Sequence, residues 1–147
     1  MQPLKLLIIG MDPPVHFRLM LDPEIIEPEM ELVALAASHD DPDEIEELRS
    51  IASERGLEFS EQWQDLIDKV NALVYLGPYG YRGDTLLQIF SAEELEVLII
   101  DKPLVCTLDE LNQVEAAMIS RPDLDILPLL TVRYDERYEI IKRIYAT

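Results

Sequence analysis

The chain has 147 residues, 48% of them hydrophobic, and 30 acidic against 12 basic residues give it a net charge of −18. That length fits one domain with one core. The charge opposes nucleic acid and anionic membrane surfaces, whose phosphates would meet a repulsive field, and suits a basic protein partner or simple solubility.

Short apolar runs alternate with helical periodicity, the pattern of βαβ units and a parallel sheet. The first strand is predicted over Leu4 to Ile9, an unbroken apolar run typical of a strand buried on both faces, and Gly10 ends it. Pro13 and Pro14 can open a helix but not sit inside one, so a short helix is expected over Val15 to Leu21, with Pro23 and Pro28 breaking the segment after it. A second strand runs from about Glu31 to Ala37. Asp41 then caps a helix with Pro42 at its first position, and Glu44 completes a capping-box-like arrangement. Ile45, Leu48, Ile51 and Ala52 form its apolar stripe, and Gly56 stands at its C-terminal end.

Leu57 to Phe59 reads as a brief strand, and Ser60 as the cap of a helix carrying Trp63, Leu66 and Ile67. A strand over Ala72 to Leu76 leads into Gly77-Pro78-Tyr79-Gly80-Tyr81-Arg82-Gly83. A helix with Leu86, Leu87 and Phe90 follows, then a strand over Glu96 to Ile100. After Asp101-Lys102-Pro103, Thr107 and Glu110 form a capping box for a helix with Leu108, Leu111, Val114 and Met118 on one face. A strand over Ile126 to Val132 and a helix over Glu136 to Tyr145 close the chain. The expected fold is a doubly wound, mainly parallel six-stranded sheet with helices on both faces, ordered 3-2-1-4-5-6. The whole chain is expected to be one such domain.

One cysteine, Cys106, excludes an internal disulfide, and with only His16 and His39 beside it no metal site is expected. The apolar runs are too short to span a bilayer, and Met-Gln-Pro shows neither a basic flank nor a cleavage site, so a cytoplasmic location is expected.

Ligands of such a sheet sit outside the carboxyl ends of the strands, where the strand order reverses. The loops meeting there carry Asp12, His39, Tyr79, Tyr81, Arg82, Lys102 and Arg133. Ser38 and His39 are neighbours in sequence, which does not make a nucleophile–base pair, because such pairs are set by geometry.

The order of elements, Lys102-Pro103-Leu104 after an apolar strand and the capping Thr107-Leu108 together resemble the glucose–fructose oxidoreductase and inositol dehydrogenase family (Gfo/Idh/MocA). The run Ala72 to Pro78 looks like that family's strand ending in a proline loop, and Leu130 to Tyr134 like its sixth strand with a trailing Arg-aromatic pair. The resemblance covers the chain at the family's N-terminal, Rossmann half. It implies an NAD(P)-dependent oxidoreductase of sugars or cyclitols, with Lys102 near nicotinamide and substrate as the catalytic candidate. By position it implies cofactor contacts from Gly10, Asp12, Ser38, His39, Pro78, Arg82, Asp101 and Pro103. It also suggests a cis bond at Lys102-Pro103, a tight strand-end turn where the cis form costs only about 0.5–1 kcal/mol.

The sequence departs from the family at telling places. A dinucleotide loop reads Gly-x-Gly-x-x-Gly or Ala, whereas here the frame is Gly10-Met11-Asp12-Pro13-Pro14-Val15. Asp12 sets a carboxylate where phosphates would lie, and the two prolines remove amide donors. A like-charge contact costs on the order of 1–4 kcal/mol and each lost charged hydrogen bond roughly 1.5–3 kcal/mol. Together they rival the roughly 8 kcal/mol of micromolar binding. Arg82 stands where the family usually has histidine, Asp101 replaces glutamate, and Ala37-Ser38-His39 offers no ribose carboxylate, though Asp40 is close. The family's substrate domain has no counterpart in 147 residues.

The expectation is therefore a truncated oxidoreductase-like domain, not catalytic alone and without a cofactor, acting through protein contacts or an unidentified ligand. The alternative is the NAD- or NADP-binding domain of a dehydrogenase whose substrate domain lies on another chain. The expected partner is a second copy or a basic protein. Tyr134, Tyr138, Ile141 and Tyr145, at near-helical spacing, either anchor a dimer or dock on the chain's own sheet.

Overall fold

The computed structural model of the chain describes residues 3–26, 30–78 and 82–129. Six strands form one sheet: β1 Leu4–Ile9, β2 Met30–Ala36, β3 Glu58–Ser60, β4 Ala72–Tyr75, β5 Val97–Asp101 and β6 Asp125–Leu129. Their order is β3-β2-β1-β4-β5-β6 and every pairing is parallel. The helices are α1 Pro14–Met20, α2 Pro23–Ile26, α3 Pro42–Arg55, α4 Arg82–Phe90 and α5 Leu108–Ser120. The doubly wound fold expected from the alternation of apolar runs is the one observed.

The sheet carries a core on each face, because parallel strands fed by crossover helices are covered on both sides. Leu7, Ile9, Leu73, Leu98 and Ile100 turn toward α4 and α5. Leu6, Ile8, Leu35, Val74 and Leu76 turn toward α1 and α3, where Phe17 and Leu48 meet them. β1 and β4, adjacent at the centre, contribute fully buried residues to both cores.

Local chemistry sets the element ends, with some corrections to the sequence reading. Asp41 caps α3 by accepting from the Asp43 amide, and Gly56 closes it with φ +68°. Glu44 does not complete that cap. Its carboxylate instead accepts from the Ser38 amide at 2.7 Å and the Ser38 hydroxyl at 2.9 Å, tying α3 to the loop after β2. The segment after β3 is not an α-helix but two 3₁₀ turns, Trp63–Asp65 and Ile67–Lys69. An i, i+3 apolar spacing serves either helix type, and Ser60 belongs to β3, its hydroxyl receiving the Gln62 amide. Thr107 and Glu110 form the full capping box of α5. Pro23 opens α2 rather than breaking the chain. The cis bond expected at Lys102-Pro103 is present, and a second, unforeseen, joins Asp12 to Pro13. Pro28, Tyr79 to Tyr81, and the elements expected beyond Leu129 lie outside the described residues.

Candidate functional site

The switch point of this sheet lies between β1 and β4, and the loops leaving their carboxyl ends are held together. Gly10 follows β1 with φ +77°, and a Cβ there would stand 2.4 Å from the Leu76 carbonyl oxygen, so only glycine fits the approach. The Gly10 amide donates to Ala36 and the Asp12 amide to Leu76 at 3.0 Å. Main chain therefore bridges the crevice. Ser38 sits against Gly10, and a Cβ on that glycine would come within 2.9 Å of the Ser38 Cβ.

Beneath this bridge is a buried polar cluster. The Arg82 side chain opens α4, is wholly shielded from solvent, and donates to the carbonyl oxygens of Gly77 at 2.7 Å, Pro103 at 2.6 Å and Asp101. Its guanidinium lies 5.6 Å from the centre of the Tyr75 ring. Burial pushes the Tyr75 phenol above its ordinary pKa, opposed by a hydrogen bond with Thr85 and by the Arg82 charge. The Asp101 carboxylate is also fully buried, and His16 Nδ1 of α1 lies 3.1 Å from its Oδ1. That contact lacks hydrogen-bond geometry, so the two buried groups lie close without a directed bond.

The sequence-derived candidates thus divide. Gly10, Asp12, Ser38, Arg82, Asp101 and Pro103 converge on the carboxyl edge near the switch point, with Pro78 half-buried beside Gly77. Lys102, next to Asp101, has an exposed side chain. His39 is half-exposed, its Nδ1 2.8 Å from the Ser38 hydroxyl and its Nε2 3.7 Å from an Asp41 carboxylate oxygen. That hydroxyl also donates to Glu44, so it is held as part of the α3 tether. A cleft of about 300 Å³ lies beside these residues, lined by Ser38, His39, Asp40, Gln62, Trp63 and Thr85 among others. Sequence reading missed His16, whose only signal was a polar residue between apolar Val15 and Phe17 at the start of a short helix. Arg133 and Tyr134 lie outside the described residues. Among the described residues no group of three or more His, Cys, Asp or Glu is placed to hold a metal ion, and no helix is long and apolar enough to cross a membrane.

A dinucleotide needs a pyrophosphate cradle of free amides at the first loop and helix N-terminus. Here the Asp12 amide is spent on Leu76, Pro13 and Pro14 have none, and the Asp12 carboxylate is exposed at the same place. The Arg82 guanidinium is turned into the protein toward three carbonyls rather than toward a phosphate. These residues do not fit the pyrophosphate.

The fold defines an open, doubly wound α/β domain with its crevice at the β1–β4 switch point. Solved structures give the more particular likeness. The chain superposes on myo-inositol 2-dehydrogenase from Lactobacillus plantarum with a TM-score of 0.79 and 22% identity, covering 98% of this chain and 41% of that one. For apo scyllo-inositol dehydrogenase from Lactobacillus casei the TM-score is 0.80 at 17% identity, covering 99% and 41%. For UDP-N-acetylglucosamine 3-dehydrogenase from Acidithiobacillus ferrooxidans it is 0.76 at 14%, covering 98% and 44%. The chain has the fold of one part of these inositol and sugar dehydrogenases and spans about two fifths of their length. No family model and no curated protein matches the sequence.

Proposed function

We propose that this domain is a non-catalytic relative of the coenzyme-binding part of cyclitol and sugar dehydrogenases, acting through contacts with another protein. The observation that carries the reading is the closed crevice, in which the Asp12 amide and Leu76 carbonyl join across the place where a pyrophosphate would enter. A bound dinucleotide would have to break that bond and face the Asp12 carboxylate without the amides that proline lacks. The exposed outer face of α5 supports the protein-contact part. Leu108 and Ile119, three turns apart, are 71% and 75% exposed, with Leu111 near them; Glu115 stands between them, Asp109 lies beside Leu108, and the helix has no base. Exposed aliphatic side chains grouped on one face mark interaction surfaces. A second copy or a basic protein is the partner, in a cytoplasmic setting.

A second reading rests on fold likeness to the scyllo-inositol dehydrogenase solved with NAD(H) and scyllo-inositol. In it the chain is the NAD- or NADP-binding domain of a dehydrogenase, with Lys102 beside the reacting atoms. Calorimetric titration of NAD(H) and NADP(H) separates the two. The proposal expects no heat of binding up to millimolar coenzyme, and micromolar affinity would overturn it in favour of the second reading.

A further inference from the structure

The cleft at the carboxyl ends of β2 and β3 has a chemistry of its own. It holds about 300 Å³, at the small end of the roughly 300–1,000 Å³ of small-molecule sites. Trp63, itself buried, gives it aromatic surface. Asp40, Glu61, Gln62 and Gln64 also line it, and among the described residues no lysine or arginine does. Gln64 donates its amide nitrogen to Gln88 at 3.2 Å, which leaves its carbonyl oxygen to accept. Glu61 is already paired with Arg49 of α3, whose guanidinium lies 5.4 Å from the centre of the Phe59 ring. Asp40 has no basic partner among the described residues. Asp41, 3.7 Å from His39 Nε2, adds a further carboxylate close by.

We propose that this cleft binds an organic cation of the guanidinium or ammonium class, with Asp40 as the counter-charge, Trp63 as the aromatic surface and Gln64 as an acceptor. An aromatic surface beside a carboxylate without a base attracts a cation that carries N–H donors. An anion is repelled, both by this lining and by the field of a chain of −18. Dinucleotides held at this edge of open sheets are anions, so the lining reverses the charge of the ligand it selects. The proposal rests neither on the coenzyme reading nor on contacts through α5. Two sources share the chemistry: a free small cation, and an arginine or lysine side chain of a basic protein. A protein segment would continue beyond the cleft, and Glu61 also borders a groove along α3 lined by Glu46, Arg49 and Glu54.

Titration of the full chain with butylguanidinium, followed by NMR at the Trp63 indole N–H and the Gln64 side-chain amide, tests this. Saturable shifts at both groups are expected with a Kd of millimolar or tighter. N-acetyl-arginine amide should bind at least tenfold more tightly than N-acetyl-citrulline amide, its neutral isostere, a comparison that needs no variant. Asp40→Asn should weaken butylguanidinium at least tenfold. Glu93→Gln with Glu94→Gln removes more charge at the opposite, amino edge and should leave the Kd within twofold. Absence of shifts at the two groups, equal affinity for the two isosteres, or equal weakening by both charge variants would each overturn the proposal. A peptide with arginine between two lysines separates the sources. A gain of at least tenfold over butylguanidinium, lost in Glu46→Gln with Glu54→Gln, assigns the cation to a protein, and equal affinity assigns it to a free molecule.

Discussion

His16 Nδ1 stands 3.1 Å from Asp101 Oδ1, joining α1 to the end of β5 through two buried side chains. The pair is placed by the fold's own crossover, since α1 packs on the face to which Asp101 turns. The Arg82 guanidinium is beside it, for that side chain donates to the carbonyl of the same aspartate. His16→Ala would leave a buried carboxylate without its nearest partner, which costs on the order of 2–4 kcal/mol. Asp101→Asn removes the charge along with the pairing and is expected to cost less than half as much. Urea unfolding of both variants checks the order. Equal losses would mean that the contact contributes by packing alone.

Coenzyme affinity should respond to the first loop. Asp12→Gly with Pro13→Ala removes the carboxylate and restores one amide donor where a pyrophosphate would lie. The expected result is a heat of NAD(H) binding, read by calorimetry at coenzyme concentrations where the unmutated chain gives none. Absence of any gain would place the obstacle in the Asp12–Leu76 bridge or in the buried cluster below it rather than in charge and lost donors.

The capping box of α5 gives a pH-dependent signature. The Glu110 carboxylate is held below its ordinary pKa, first by the Cys106 amide and then by the Thr107 hydroxyl and amide. A carboxylate with a lowered folded pKa contributes stability that is present above its unfolded value and lost as pH falls through the folded one. Glu110→Gln should therefore lower Tm at neutral pH, with the difference from the unmutated chain shrinking as pH falls below about 4, the ordinary range of a glutamate. Thr107→Ala removes the hydroxyl that accepts the Glu110 amide and should cost about 1 kcal/mol. Melting curves across pH check both. A pH-independent penalty for Glu110→Gln would mean that its charge plays no part in the cap.

The strands were legible because apolar runs such as Leu6 to Ile9 and Ala72 to Leu76 are buried on both faces, and their order followed from the doubly wound pattern of alternating strands and helices. The Thr107–Glu110 box and the Asp41 cap were legible for the same local reason. What failed was partner choice between close alternatives. Glu44 stands three residues after Asp41, as a box requires, yet its carboxylate reaches back to Ser38, a contact fixed by how α3 packs on β2. Trp63, Leu66 and Ile67 fit α and 3₁₀ spacing alike. In the site, the degenerate loop could be read from Asp12 and the prolines. The buried His16–Asp101 contact and the inward turn of Arg82 could not, because nothing in one sequence says which charged residues a fold will bury.

Association through α5 is the prediction nearest to function. Val114 is buried in the core and Ala117 and Met118 pack against it, whereas Leu108, Leu111 and Ile119 of the same helix are left exposed. Covering one large aliphatic side chain is worth roughly 1.5–3 kcal/mol, and three on each side suffice for a weak dimer once the cost of ordering is met. Repulsion works against it. Each copy carries −18, and Glu115 stands within the stripe itself with Asp109 beside it. Salt shortens the reach of that repulsion from about 10 Å at 0.1 M to about 3 Å at 1 M and leaves apolar burial intact. Self-association should therefore strengthen with salt, opposite to a contact made by ion pairs. Sedimentation equilibrium from 0.05 to 1 M salt is expected to show a dimer whose Kd falls at least tenfold, and Leu108→Glu with Ile119→Glu should return the chain to monomer throughout. A monomer at every salt and at high micromolar concentration would exclude the second copy, leaving a basic protein as the partner of this acidic, apolar face.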